Sequence, residues 1–85
     1  MSTKIIQSYV YTKDKNFLVS TIYRESSVTA NPAPWFYEIF GWELNDDNSK
    51  GKQIIEDSST FRNHALEKHN EHCMKLIAES EATDV

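Results

Sequence analysis

The sequence has little of what staples, breaks or spans. It holds one cysteine, two glycines and two prolines in 85 residues. A single thiol, Cys73, excludes an internal disulfide framework and fits a reducing compartment. Two glycines, Gly41 and Gly51, leave no glycine-rich phosphate loop. No apolar run approaches the ~18 residues of a membrane span. The chain does not open on a basic stretch followed by an apolar core, so a secretory leader is not expected. A soluble cytoplasmic protein with no membrane partner is the expectation. Positive charge is also scarce: nine Lys and Arg stand against thirteen Asp and Glu, a net charge of −4, and the cations form no cluster. Nucleic-acid binding needs a basic stripe to neutralise phosphates, so nucleic acid is disfavoured as a partner.

The length allows one domain. A chain this short buries only roughly 60–65% of its unfolded surface, so its stability is small unless a metal or a partner adds to it. What the sequence does have is strand-forming aromatic and β-branched residues. Lys4–Tyr11 and Phe17–Arg24 are two such runs, separated by the polar turn Thr12–Asn16. Glu25–Pro34 carries both prolines and is expected as a loop. Trp35–Leu44 is a third strand and the most aromatic. Its alternation sends Trp35, Tyr37 and Ile39 one way and Phe36, Glu38, Phe40, Trp42 and Leu44 the other. Gly41 marks a bulge or a close backbone approach. Asn45–Gly51 is a turn, and Lys52–Asp57 a short fourth strand. Ser58, Ser59 and Thr60 offer N-caps for a helix over Phe61–Glu79, whose stripe is Phe61, Ala65, Leu66, His69, Cys73, Leu76 and Ile77.

The expected fold is α+β: a four-stranded antiparallel meander with one C-terminal helix on one face. It forms a single domain over residues 1–79, with a frayed tail over 80–85. One helix covers one sheet face, yet the third strand is apolar on both. The uncovered face implies a partner, and a second copy of the chain is the simplest, so a homodimer is expected. Trp35, Tyr37, Ile39 and Arg24 are the candidate partner-binding residues, and Trp42 is assigned to the core.

Chemistry-bearing residues are few. His69, His72 and Cys73 stand at i, i+3 and i+4, so a helix places them on one side, where they offer three metal ligands. A structural zinc site takes four, and the plainer reading makes His69 a hydrogen-bonded core residue and Cys73 a small apolar one. No cofactor is assigned. Cys73 with His69 as base is a poor nucleophile in a stripe that faces the sheet, and no catalytic residue is assigned. Glu38 and Glu43 are the candidates for acid–base work, although Arg24 would simply pair with Glu38. Aromatics beside Arg24 offer a stacking platform for a base or nucleotide.

Val19–Ile22, the run Trp35–Phe40 with Trp42, a polar turn and Ala65-x-x-x-His69 together resemble small accessory proteins of tailed bacteriophages. The resemblance covers roughly residues 17–77. It is shifted here, because one residue separates Phe36 from Glu38. It implies a phage-encoded protein acting in the host cytoplasm, and proteins of this kind often block host defence. It transfers no catalytic residue. The leading expectation is therefore a non-catalytic protein that binds or inhibits a host protein. A nucleotide-binding module and a small metal-dependent enzyme through His69, His72 and Cys73 are the alternatives.

Overall fold

A computed structural model describes residues 2–25 and 35–82. Most of the expected loop, residues 26–34, and the last three residues of the expected tail lie outside them, as does the side chain of Trp35. Four strands, β1 (Ser2–Tyr11), β2 (Asn16–Glu25), β3 (Trp35–Leu44) and β4 (Lys50–Ser59), precede one helix, α1 (Arg62–Ala82). The strands form a single antiparallel sheet in the order β1-β2-β3-β4. The expected α+β meander with a closing helix is the observed fold.

Local chemistry sets the turns. Between β1 and β2, the Thr12 N–H donates to the Lys15 carbonyl at 3.0 Å, and the Thr12 hydroxyl accepts from the Lys15 N–H at 3.1 Å. Between β3 and β4, Asn48 takes a left-handed φ of 66°, which asparagine tolerates better than most residues. The Asp47 carboxylate accepts from the Ser49 N–H at 3.0 Å, a local bond that holds the turn. β4 is longer than Lys52–Asp57 and takes in Ser58 and Ser59. Ser59 still serves the helix start, since its hydroxyl accepts the Phe61 N–H at 3.2 Å. The helix runs past the expected end at Glu79, because Ala78–Ala82 is made of strong helix formers with one serine and no glycine or proline to stop it.

The register shows which residues share a face. Ser8, Val19, Gly41 and Ile55 align across the sheet, and Ile6, Thr21, Ile39 and Asp57 form the next row. Val19, Thr21, Ile39, Ala65 and His69 all have 0% exposure, so these rows lie under the helix. Val10, Phe17 and Ile55 complete the core, with Tyr37, Cys73 and Leu76 packed against it. Gly41 is needed at this spot: a Cβ there would stand 2.6 Å from Ile55 Cδ1 and 2.9 Å from Ile55 Cβ. The register also shifts between Gly41 and Trp42, so the glycine marks both a bulge and a close approach.

This arrangement reverses the expected use of the two faces. Tyr37 and Ile39, assigned to a partner, lie under α1, and Ile39 is fully buried. Trp42, assigned to the core, is half-buried on the opposite face with Lys50 over its ring. The physical reason is the shape and polarity of the covered face. Val19, Gly41 and Ala65 are small enough for the helix to sit close, and Ser8 and Thr21 supply hydroxyls for the buried imidazole of His69. The face of Phe36, Phe40 and Trp42 is bulkier. Within the helical stripe, Phe61 and Ile77 are exposed rather than packed.

Candidate functional site

The helix-covered face contains a polar node. His69 Nε2 lies 2.9 Å from Ser8 Oγ, and its Nδ1 lies 2.8 Å from Thr21 Oγ1. A neutral imidazole has one N–H and one bare nitrogen, and the two hydroxyls satisfy both. Burial, reinforced by the nearby His72, pushes the His69 pKa below its ordinary value, so the ring is neutral near pH 7. Beside it, burial pushes the Cys73 thiol up, opposed by a hydrogen bond with Ser8. A thiol held in its protonated form is a weak nucleophile.

His72 turns elsewhere. Its Nε2 lies 3.0 Å from Asp57 Oδ2, while Lys68 Nζ lies 3.0 Å from Asp57 Oδ1. The hydrogen bonds from His72 and then Lys68 outweigh burial and hold the Asp57 carboxyl down at about 2. Of the three residues raised as metal ligands, His69 and Cys73 share Ser8 on β1, with Thr21 on β2 as the second partner of His69, while His72 turns to Asp57 on β4. Among the described residues, no group of three or more His, Cys, Asp or Glu side chains is placed to hold a metal ion. An open groove of about 460 Å³ lies between the end of α1 and the sheet, with Phe17, Ile54, Ile55 and Leu76 in its lining. Lys15 and Glu43 at its rim pair with each other at 3.1 Å.

The other sheet face carries the aromatic surface. One row aligns Tyr9, Leu18, Trp42 and Gln53, the next places Ser20 against Phe40, and the one beyond it Ile22 against Glu38. Phe40 and Trp42 rings are 5.9 Å apart, and Tyr9 stacks on Tyr11 at 6.3 Å. Lys50 Nζ stands 4.2 Å above the Trp42 ring, a cation–π contact. Arg24, the one candidate partner residue found here with its side chain described, sets its Nε 3.0 Å from Glu38 Oε1. The Glu38 carboxylate is 17% exposed, and its buried Oε1 meets Arg24 Nε as an ion pair without the alignment of a hydrogen bond. No helix among the described residues covers this face. The aromatics raised together as a stacking platform are divided, with Tyr23 and Tyr37 tilted against each other at 5.3 Å on the helix side.

The sequence-based reading missed the hydroxyl partners of His69 and the roles of Leu18, Phe40 and Lys50. A signal for the first was present: a histidine in an apolar helical stripe needs polar partners, and Ser8 and Thr21 share one face of the sheet. Compared with known protein families, characterised proteins and solved structures, the chain has no match.

Proposed function

We propose that the chain is a small non-catalytic binding protein that contacts another protein through the sheet face opposite α1. The observation that carries this reading is the aromatic row of that face. Phe36, Phe40 and Trp42 are large, only half-buried, and have no second layer over them among the described residues. Exposed apolar surface of this extent marks a contact site in a soluble domain. Aromatics with an arginine at the margin are the composition favoured at protein interfaces. A non-catalytic role is supported by the residues with reactive chemistry: both nitrogens of His69 are engaged, and the Cys73 thiol is held protonated. The resemblance to phage accessory proteins supplies the setting, a phage-encoded protein directed at a host protein.

Phe40→Glu tests the reading, because it places a charge at the centre of the face without touching the helix-side core. The substitution is expected to abolish protein binding while the helical circular dichroism remains. Lys75→Glu on α1 serves as the control and is expected to bind normally. Binding that survives Phe40→Glu in folded protein would overturn the assignment of the face.

A further inference from the structure

We infer that the occupant of the open face is a second copy of this chain, packed as a symmetric dimer whose two-fold axis runs along the strands between β2 and β3. This names a second copy as the protein met by the face assigned above, leaves any host protein to another surface, and rests on that reading. Three observations carry it.

The first is area. Among the described residues, the Cα atoms span only 16 Å along the shortest axis, enough for a sheet and one helix but not for a third layer. Each strand has ten residues. At about 3.3 Å per residue and about 4.8 Å per strand, the face measures roughly 33 Å by 19 Å. That footprint of roughly 600 Å², with side-chain relief added, approaches the roughly 800 Å² per partner of a stable interface.

The second is shape. Across this face, short side chains on β2 stand beside bulky ones on β3: Ser20 beside Phe40, and Leu18 beside Trp42. Ser20 and Leu18 are only 6% and 4% exposed, sheltered below the level of their neighbours. Over these two rows the face is therefore stepped, low along β2 and high along β3. A two-fold axis between these strands lays the high side of each copy on the low side of the other. Such self-complementarity is the condition for an isologous contact.

The third is charge. Arg24 lies on β2 and Glu38 on β3, one row apart. The same axis sets Arg24 over the partner's Phe36 and within one row of the partner's Glu38. The guanidinium, already 3.0 Å from its own Glu38 Oε1, gains a ring face and a second carboxylate one row away.

Sedimentation equilibrium over micromolar concentrations tests the inference on the wild-type chain and two variants. Wild type is expected to have the mass of a dimer. Phe40→Glu, checked for retained helix, is expected to be monomeric. Arg24→Glu removes the Arg24–Glu38 pair within the chain, so it too is checked for retained helix; folded, it is expected to weaken the dimer at least about tenfold, since it adds carboxylates at the interface. A wild-type monomer at every concentration would overturn the second-copy assignment and leave the face to a foreign protein. A dimer unaffected by Arg24→Glu and by folded Phe40→Glu would overturn both the inference and the assignment of the face.

Discussion

His69 Nδ1 lies 2.8 Å from Thr21 Oγ1 at a site where neither residue is exposed to solvent. This bond, with the one to Ser8, fixes which face of the sheet the helix covers. An imidazole moved to the other face would lose both hydroxyls. The bond also makes stability depend on pH, because the neutral ring is the one the site favours.

The sign of that dependence follows from linkage. The folded pKa of His69 is lowered, by burial first and the His72 charge second. In the unfolded chain the ring titrates near 6.5. The stabilisation is complete above that value and is lost as the pH falls toward the folded pKa, because the unfolded chain then binds the proton more readily. Urea unfolding between about pH 8 and 5 is expected to show stability falling on the acid side. His69→Gln is expected to flatten that slope and to cost roughly 1–3 kcal/mol at pH 8 by leaving a buried hydroxyl unpaired. An unchanged slope in His69→Gln would show that another group carries it.

Asp57 governs a more acidic window. Its carboxyl is held at about 2 by His72 and Lys68 against an ordinary value of 3.8. Its contribution is therefore present above pH 3.8 and lost as the pH falls through about 2. The carboxylate is 31% exposed, so solvent screening keeps the effect modest. Asp57→Asn is expected to reduce stability near neutral pH by about 1 kcal/mol or less and to lessen the loss below pH 4, read by unfolding at each pH.

Gly41 and Ile55 form a packed pair that a substitution series resolves. A Cβ on residue 41 would stand within 3.0 Å of three Ile55 atoms, one of them Ile55 Cβ, which cannot swing away. Gly41→Ala is expected to cost about 1–3 kcal/mol despite the usual gain in strand propensity. Adding Ile55→Ala removes the Cδ1 and Cγ1 contacts and leaves only Ile55 Cβ at 2.9 Å, so the double variant is expected to lose less than the sum of the singles. Additive losses in chemical unfolding would mean that the two residues do not meet.

The two faces differ in what truncation costs. Ile39 is fully buried under α1, so Ile39→Ala is expected to cost about 2–5 kcal/mol. Phe40 is half-buried on the open face. In monomeric protein at low concentration, Phe40→Ala is expected to cost clearly less than Ile39→Ala. The reverse order in thermal or urea unfolding would place the helix on the other face.

Much of the fold was legible in the sequence. β-branched and aromatic runs located the strands, and Trp35–Leu44 has the bounds that its alternation suggests. Alternation divides Ile39 from Phe40, but it cannot say which of them meets the helix, since both faces of β3 are apolar. That choice depends on residues far apart in the chain. Val19, Gly41 and Ala65 make room, and Ser8 and Thr21 receive His69. The spacing of His69, His72 and Cys73 placed them on one side of the helix, as a metal site would need. Their partners draw His72 away from the other two, because the sheet presents hydroxyls to His69 and Cys73 and the Asp57 carboxylate to His72. The open face was legible as an excess of apolar surface, but its members were not.

The central claim, that the protein makes its contact through the face of Phe40 and Trp42, is tested most directly by solvent paramagnetic relaxation of assigned side chains. A soluble paramagnetic agent broadens signals in proportion to their exposure. As protein concentration rises, the Trp42 indole and Phe40 ring are expected to become protected, while Met74, 69% exposed on α1, stays accessible. Protection of Met74 with Trp42 and Phe40 still exposed would contradict the account.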